Sequence, residues 1–418
     1  MARRTVKRTT RALYPEHPVE EHNLRIGRAR KVMREMGLDV LISGRNINVF
    51  YFTGSRFVFV GMDGPVALAP QSTAIITKDA DIYCQRFGAF DNDEVGMHTT
   101  TSESLEYYDD ELELVNILKD YGVRRGARIG TEWGTGLCVG VNPLKFMALE
   151  RRLHGELGAE VVNANPALWR IMAVKSNLEI ERMKVAVQAA CRSMERVYDA
   201  IEIGMNELQV AAMARRFMLE EGAETVNHAQ VMAEGDGGMK LMSCDAVDRP
   251  IGKGWVHLDL GAKYKRYASD VNRGIFLGRK PTTAEEDLYV CRLGVSQLMD
   301  RMIKPGVCID DVVHAVKAFI EERGYVLLEI GGSPFIGHGI GLEPYQRPNI
   351  VLSAAQPEVQ GSNGKVFFEE GMMFTYEMSI EKPGMSLPFF NIEDNLVVSA
   401  TGIENMSGAL SRELRVKL

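Results

Sequence analysis

Apolar residues recur at alternating spacings of three and four residues along one stretch near the middle of the chain. The series consists of Ile180, Met183, Val187, Ala190, Met194, Val197 and Ile201. Such spacing places the apolar side chains on one face of an α-helix, so it predicts a long amphipathic helix. Ser176 or Asn177 is expected to cap this helix, because short polar side chains accept hydrogen bonds from the free N–H groups of a first turn.

The chain before residue 165 alternates strand-like with helix-like stretches. Short apolar runs predict strands at 39–43, 49–52, 66–68, 73–76 and 80–84. Helical periodicity predicts helices at 23–36, 111–121 and 143–157. This alternation is typical of an α/β domain. We therefore expect three segments, which are a basic tail at 1–20, an α/β domain at 21–165 and a second domain at 174–418.

Two helical stretches of the second domain resemble each other. One begins at Gly204 and has Phe217 at its thirteenth step, and the other begins at Gly306 and has Phe319 there, so the copies are 102 residues apart. Two ordinary helices with glycine-rich ends could match in this way. Each copy, however, follows a helical stretch and precedes strand-like sequence, which favours two related halves packed about a pseudo-twofold axis. A site between such halves draws ligands from both.

Composition and charge narrow the class of protein. The chain has 418 residues, of which 45% are hydrophobic and 25% are charged. This is enough apolar material for two sizeable cores, and it excludes a wholly disordered chain. Lys and Arg number 49 against 56 Asp and Glu, which gives a net charge of −7. Because an acidic chain is not attracted to polyanions, we expect neither nucleic acid nor a membrane as its main partner.

The basic tail and the cysteines indicate the cellular compartment in which we expect the protein. No apolar stretch follows the tail, so we expect a frayed, solvated segment rather than a secretory signal. Six cysteines lie far apart and form no CxxC pair. In a chain of this length such cysteines are typical of reduced thiols, and we expect a cytoplasmic protein.

Two acidic residues interrupt strand-like sequence in the second domain. Asp259 lies inside the apolar run Trp255–Gly261, and Asp270 follows eleven residues later. A buried carboxylate is costly unless something positive meets it, so two of them on neighbouring strands could share a divalent cation. On this pair alone, a hydrogen-bonded buried Asp and a turn Asp are an equally good interpretation.

Three further residues extend this pattern. His338 is flanked by glycines in Gly337-His338-Gly339, and Glu377 and Glu393 both lie in strand-like sequence. Four carboxylates and one imidazole suit a pair of hard or borderline divalent ions that share bridging carboxylates. The set is far more specific than any of its members.

The order Asp–Asp–His–Glu–Glu resembles that of the pita-bread metallohydrolases, which include methionine aminopeptidase, prolidase, proline aminopeptidase and creatinase. The resemblance is carried by Asp259-x-Gly261, Asp270, His338-Gly-x-Gly, Glu377 and Ile392-Glu393-Asp394, and it covers nearly the whole chain after residue 20. It implies an α/β fold class, with a creatinase-like N-terminal α/β domain and a pseudo-twofold α+β catalytic domain. It also implies two divalent metal ions, Mn, Zn, Co or Fe, held by those five residues.

The groups that handle the peptide in this family are altered. The family continues the histidine motif to a second histidine and a glutamate, whereas this chain continues with Glu343-Pro344-Tyr345-Gln346-Arg347-Pro348. The family also carries an arginine two residues before the last ligand, where this chain has Asn391. The family's upstream histidine is missing from 235–243, which contains Lys240 instead, and His228 lies too early for that role. The resemblance therefore implies a retained metal site with altered substrate-handling groups.

His257 has two interpretations. Strand alternation places it on the same side as Asp259, so it could be a further ligand or a proton carrier. A half-buried histidine bonded to backbone is slightly favoured. The peptidases of the family generally have an aliphatic residue here, whereas dimethylsulfoniopropionate lyases carry a polar ligand near this position.

The resemblance implies a dinuclear hydrolase of an amide or related C–N bond, and the altered groups favour a small metabolite as substrate. Glu377 is the family's candidate for taking the proton of the attacking water. Tyr345, Arg347 and Lys240 would orient the substrate or stabilise an oxyanion. The alternatives are a metal-dependent lyase of the dimethylsulfoniopropionate type, a genuine Xaa-Pro dipeptidase or aminopeptidase, and a metal-free binding protein.

The resemblance also implies an assembly. In the creatinase/prolidase branch the N-terminal domain of one subunit commonly overhangs the active site of its neighbour. The aromatic stretch Phe50–Val60 carries a single cation, Arg56. We therefore expect a homodimer in which Arg56 lies near the partner's active site.

Overall fold

The chain forms two compact units, Met1–Ile171 and Met172–Leu418. The computed structural model describes residues 4–6, 14–55, 72–86, 100–101, 103–107, 113–132, 143–234, 245–361, 363–385 and 390–418. Arg56, Lys240 and the predicted strand at 66–68 lie outside the described residues. Among the helices in the described ranges, none is long and apolar enough to cross a membrane.

The first unit is built on a mixed sheet. Its described strands are β1 (Arg4–Val6), β2 (Val40–Ser43), β3 (Ser72–Thr77), β4 (Asp81–Arg86), β5 (Glu103–Tyr107), β6 (Arg128–Thr131) and β7 (Glu160–Asn163), in the order β1-β5-β4-β3-β2-β6-β7. Its described helices are α1 (Val19–Met36), α2 (Asn46–Thr53), α3 (Glu113–Asp120), α4 (Pro143–Leu157) and α5 (Asn165–Ala173). Side chains of α3 and α4, such as Leu118 and Leu153, pack on alternate sheet residues that include Ile75 and Ile129. This apolar contact explains why the strand and helix patterns share one core.

The predicted strand at 49–52 is wrong, because these residues lie in α2. Every residue from Ile47 to Thr53 is buried, so the segment has no polar face. A short run that is apolar on all sides does not distinguish a buried helix from a buried strand. The helix ends at Gly54, whose φ of 74° is in the left-handed region that favours glycine.

The N-terminus of α2 is capped from a distance by Glu132, which directly follows β6. Its carboxylate accepts hydrogen bonds from the backbone N–H groups of Gly44 (3.0 Å) and Arg45 (2.7 Å) and from the side chain of Asn48. Burial raises the pKa of Glu132 above its ordinary value, although these hydrogen bonds lower it. The carboxyl group thus satisfies donors that a first helical turn leaves free.

The basic tail differs in part from the expectation. Arg4–Val6 pairs antiparallel with β5 as an edge strand, so these three residues are not frayed. The free backbone groups on the outer edge of β5 supply the hydrogen-bonding partner.

The second unit contains two similar arrangements of a helix pair followed by an antiparallel sheet. Its helices are α6 (Asn177–Ala200), α7 (Glu207–Glu220), α8 (Thr283–Met302) and α9 (Ile309–Glu321), and short 3₁₀ turns lie at Ser353–Ala355 and Pro357–Val359. The strands of its first part are β8 (Thr225–Ala233), β9 (Gly254–Tyr264), β10 (Tyr267–Ala268) and β11 (Val271–Leu277). Those that follow are β12 (Val326–Leu327), β13 (Glu329–Ile330), β14 (Ser333–Pro334), β15 (Gly337–Gly339), β16 (Gln346–Ile350), β17 (Met373–Tyr376), β18 (Ile380–Glu381), β19 (Asn395–Val398), β20 (Ile403–Asn405) and β21 (Arg415–Lys417).

The two sheets of the second unit repeat one pattern. In the first sheet β9 pairs with β8 and β11, and in the second sheet β17 pairs with β15 and β19, all antiparallel. The pairs α6–α7 and α8–α9 precede the respective sheets, and α7 and α9 are the two helices of the sequence repeat. The repeat therefore corresponds to two halves of similar construction.

The long helix predicted from the apolar spacing is α6. Ser176 is its N-cap residue, because its hydroxyl accepts from the N–H of Glu179 (3.2 Å) and the Glu179 carboxylate accepts from the N–H of Ser176 (2.9 Å). This reciprocal capping box satisfies two donors and fixes where the helix begins.

Candidate metal centre

The five predicted ligands converge in the second unit. Asp259 lies in the middle of β9, Asp270 directly precedes β11, His338 is the central residue of β15, Glu377 directly follows β17, and Glu393 lies two residues before β19. All five are buried. The first two come from one sheet and the other three from the second, so the two halves build the cluster together.

His338 faces three of the carboxylates. Its Nε2 lies 3.3 Å from Oε2 of Glu377 and 3.8 Å from both Oε1 of Glu393 and Oδ2 of Asp270. Its Nδ1 lies 3.0 Å from the carbonyl oxygen of Gly339, which accepts hydrogen bonds and donates none. Nδ1 therefore carries the hydrogen, and the lone pair of Nε2 is directed toward the acids, as in metal-binding histidines.

His228 also lies at the cluster, although in the sequence it comes too early to replace the upstream histidine of the family. Its Nε2 lies 2.8 Å from Oδ1 of Asp259 and 3.2 Å from Oδ1 of Asp270. Sequence position alone gave no reason to expect His228 beside these two acids. His228 lies close to the two acids because β8 pairs with β9, and no local sequence pattern predicts that pairing.

The donor atoms fall into three overlapping groups, and within each group they all lie within 4.8 Å of one another. The groups are His228–Asp259–Asp270, Asp270–His338–Glu393 and Asp259–Glu377–Glu393. Asp259, Asp270 and Glu393 each belong to two groups. Carboxylates shared in this way are suited to bridging two divalent ions.

The carboxylates of the cluster repel one another. Burial, with the Asp259 carboxylate, raises the pKa of Asp270 to about 6, against the lowering effect of His228. Burial and the carboxylates of Asp270, Glu377 and Asp259 raise the pKa of Glu393 well above its ordinary value. Such clustering favours a cation that would neutralise the charges.

Two buried atoms at this cluster have no hydrogen-bonding partner within the described residues. They are Nε2 of His338 and Oε2 of Glu393. Buried polar atoms are otherwise nearly always satisfied. Together with the oxygen-rich donor set, they fit hard or borderline divalent metals.

His257 lies beside the cluster without joining any donor group. Its Nε2 lies 2.8 Å from the side-chain nitrogen of Asn272 on the neighbouring strand β11. Complete burial lowers the pKa of His257 to about 4, against the effect of Asp259. The ring is thus buried more completely than expected, and its partner is the side-chain amide of Asn272 rather than the backbone.

Polar side chains hold the ligands from behind. The hydroxyl of Thr375 donates to Glu393. The side chain of Asn395 accepts from the N–H of Asp270 (3.1 Å) and donates to its carbonyl oxygen. Such supports orient metal ligands and restrict their motion.

Arg292 links the two strands that carry Glu377 and Glu393. This fully buried residue of α8 donates from one guanidinium nitrogen to the carbonyl oxygens of Tyr376 (3.3 Å) and Ile392 (2.9 Å), each of which directly precedes a ligand. The same nitrogen donates to Oδ1 of Asn391 (3.0 Å). Asn391 is therefore buried and held by Arg292.

Tyr345 covers the imidazole of His338. The two rings stack with centroids 3.8 Å apart, and the Tyr345 hydroxyl donates to Oε2 of Glu377 over 3.0 Å. The structure thus brings Tyr345 into contact with two of the predicted ligands.

Arg347 is not brought to the cluster by any ion pair or hydrogen bond within the described residues. Its Nε pairs with Oε1 of Glu358 at 2.8 Å, in the second 3₁₀ turn. A guanidinium already paired with a carboxylate is less available to a substrate anion, which argues against the predicted role of Arg347.

Two sheets that surround buried carboxylates and imidazoles define a metal-dependent hydrolase of the pita-bread class. The chain belongs to metallopeptidase family M24, whose family model matches residues 181–400. A model of the creatinase/prolidase N-terminal domain matches residues 25–171. The predicted family, fold class and general activity as a metal-dependent hydrolase are thereby confirmed.

Named relatives and solved structures show the same likeness. The chain is 24% identical to a Xaa-Pro dipeptidase of Pyrococcus furiosus over 393 residues, covering 92% of this chain and 97% of that one. The solved Xaa-Pro dipeptidase from Bacillus anthracis has a TM-score of 0.75 and 22% identity, covering 95% of this chain and 100% of that one. Dipeptidase PepE from Mycobacterium ulcerans has a TM-score of 0.75 and 21% identity, with coverages of 96% and 99%. The structural matches establish the fold.

Proposed function

We propose that this protein is a dinuclear divalent-metal hydrolase that cleaves an amide or related C–N bond in a small substrate. The observation that carries the proposal is the overlap of the three donor groups, in which Asp259, Asp270 and Glu393 each serve twice. When bound, two divalent ions lower the pKa of water and polarise a carbonyl group.

The protein's own residues would move the protons and orient the substrate. We assign to Glu377 the task of taking the proton of the attacking water; its Oε2 lies 3.3 Å from Nε2 of His338. The hydroxyl of Tyr345 donates to the same carboxylate and lies on a residue that is 54% exposed. It is therefore the neutral donor that we assign to an oxyanion or to a polar group of the substrate.

The surroundings of the cluster favour a small substrate over a general peptide. Asn391 is held by Arg292, and Arg347 is paired with Glu358. Neither supplies a free positive charge for a peptide carbonyl. A compact metabolite that binds mainly through the metal ions and Tyr345 places the smallest demand on such a site.

A Xaa-Pro dipeptidase is the second candidate. The favouring observation is the similarity over nearly the whole chain to an enzyme named Xaa-Pro dipeptidase. A lyase of the dimethylsulfoniopropionate type remains a third outcome, and a metal-free binding protein the fourth.

One experiment separates these candidates. The full chain, purified without chelator, is analysed for metal and then assayed after reconstitution on Xaa-Pro dipeptides, creatine, ectoine and dimethylsulfoniopropionate. We expect close to two ions per chain and an amine plus an acid as products of a small amide or amidine. Efficient Xaa-Pro cleavage would support the second candidate, an alkene product the lyase, and absence of metal the binding protein. An Asp270→Ala variant that keeps its fold but loses metal serves as the matched control.

We further propose a cytoplasmic homodimer in which Arg56 lies near the partner's site. The support is the match to the creatinase/prolidase N-terminal domain, together with the family resemblance. Sedimentation tests the dimer directly, and a fully active monomer would contradict it. An Arg56→Ala variant should keep the metal and lose affinity for substrate.

A further inference from the structure

His228 reaches the metal-binding carboxylates from a strand that carries none of the five predicted ligands. It lies on β8, and its Nε2 is 2.8 Å from Asp259 and 3.2 Å from Asp270. We propose that His228 is itself a ligand of the divalent ion held by Asp259 and Asp270. The proposal rests on the dinuclear metal site of the proposed function and adds a sixth residue to it.

The second nitrogen of the ring supports this role. Nδ1 of His228 lies 2.8 Å from the side-chain nitrogen of Asn227. A rotation of that amide by half a turn exchanges its nitrogen and oxygen without moving other atoms. With the oxygen toward Nδ1, the amide accepts the ring N–H, and the lone pair of Nε2 is left facing the two carboxylates. Gly339 fixes the ring of His338 in the same way.

A glycine makes room for the ring. His228 pairs across the strands with Gly261. A Cβ atom on Gly261 would lie 2.3 Å from Cε1 and 2.5 Å from Nδ1 of His228, far inside van der Waals contact. The ring can therefore approach Asp259 because residue 261 has no side chain. The same glycine belongs to the Asp259-x-Gly261 motif, so motif and histidine form one geometric unit.

The internal repeat places the two histidines at corresponding positions. The first half has His228 on β8, the first of its three paired strands, and the second half has His338 on β15, the first of its own. In the first half, Asp259 lies in the middle strand β9 and Asp270 precedes the third strand β11. In the second half, Glu377 directly follows the middle strand β17 and Glu393 precedes the third strand β19. Each half thus presents one imidazole and two carboxylates to the centre.

An imidazole in each half has a chemical consequence. Nitrogen donors favour the later divalent metals of the first transition row over magnesium or calcium. With one imidazole beside each ion, the two metal positions should have similar affinities. If only one position had an imidazole, the affinities of the two positions should differ more. A histidine that merely donates a hydrogen bond to Asp259 would not have this effect.

The test uses Co²⁺ on the full chain after removal of metal. Calorimetric titration and visible absorption are recorded for the wild type, His228→Gln and His314→Gln, the last being an exposed histidine of α9. We expect two Co²⁺ per chain in the wild type and in His314→Gln. We expect His228→Gln to lose more than about tenfold in affinity for one ion and to change its absorption. Gly261→Ala should weaken the same ion, because it displaces the ring.

X-ray absorption of the Co²⁺-loaded wild type needs no variant to fold. An average of one imidazole per ion supports ligation by His228, whereas one imidazole for every two ions overturns it. Unchanged titrations and absorption of His228→Gln would also overturn it while leaving the dinuclear site intact. A wild type that binds no Co²⁺ would overturn the proposed function as well, so the two failures are distinguishable.

Discussion

The ring of Tyr345 stacks on the ring of His338 with an angle of 26° between their planes. His338 is completely buried, whereas Tyr345 is half exposed. The tyrosine therefore covers the imidazole on the side that faces solvent, and its hydroxyl remains bonded to Glu377. The hydroxyl therefore contacts the carboxylate to which we assign the proton of the attacking water.

Tyr345→Phe should lower kcat by about a hundred- to a thousandfold, the usual effect of removing one donor to a developing oxyanion. The ring stack and the metal ligands stay in place, so metal content should not change. Steady-state kinetics with metal analysis on the same preparation measure both. Tyr14→Phe, at an exposed residue of the first unit, is the control. An unchanged kcat would show that the hydroxyl has no part in the chemistry.

Arg292→Met should loosen the spacing between Glu377 and Glu393. The variant leaves buried acceptors unsatisfied, at about 1–3 kcal/mol of unfolding free energy for each. Metal affinity should fall about 10–100-fold, as is usual when the support of a ligand is removed. Urea denaturation and Co²⁺ titration give the two values. Arg323→Met, at an exposed arginine after α9, should change neither, and full metal affinity in Arg292→Met would contradict the linking role.

Asp310→Asn should destabilise the protein at neutral pH. The carboxylate accepts from the N–H of Ser353 (2.6 Å) and from Lys365 (2.5 Å). Burial raises the pKa of Asp310, but the hydrogen bonds from Lys365 and Ser353 lower it by more. The pKa of Asp310 in the folded protein therefore lies below its ordinary value. The stabilisation is thus present above the unfolded pKa of about 3.9 and is lost as pH falls through the folded pKa.

We expect a deficit of about 1 kcal/mol for Asp310→Asn at pH 7, since Lys365 is half exposed and its charge is screened. The deficit should shrink as the pH is lowered from 7 to about 3, because the second value lies below the unfolded pKa of about 3.9. Urea denaturation of the metal-free protein at both pH values measures it. Asp311→Asn, at the exposed neighbouring residue, should show no such change with pH, and a deficit that persists in acid would contradict the assignment.

Glu132 should show the opposite dependence on pH. Its folded pKa is raised by burial, so deprotonation costs more in the folded protein than in the unfolded chain. Wild type should therefore lose stability relative to Glu132→Gln as pH rises from the unfolded pKa of about 4.3 through the folded pKa. Unfolding followed by circular dichroism at pH 4 and pH 7 tests this. Exposed Glu20→Gln is the control, and a constant difference between Glu132→Gln and wild type would be the contrary result.

Local patterns in the sequence predicted much of the fold. The spacing of three and four found α6, and Ser176 was among its expected caps. The range 143–157 coincides with α4. These elements have one polar and one apolar face, so burial and periodicity agree. The strand prediction for Val49–Phe52 was wrong because all sides of α2 are buried, so the sequence shows no helical alternation of polar and apolar residues.

The residues proposed as metal ligands could be predicted from acids in or beside strand-like sequence and from a histidine between glycines. The partners around them could not. His228 depends on the register between β8 and β9, and Arg347 depends on the fold that brings Glu358 within 2.8 Å. Asn391 marks a departure from the family, but its link to Arg292 crosses 99 residues of chain. Glycine at 261 was the available signal for a close neighbour.

With His228 counted as the proposed sixth ligand, the two halves would contribute equally to the metal site, which bears on how such a protein could arise. A chain that contained one half would carry one imidazole and two carboxylates on a single sheet, too few to enclose two ions. Two copies joined about an axis would complete the set. A gene for one half could therefore have encoded a functional symmetric pair before its duplication and fusion, after which the pockets on either side were free to diverge.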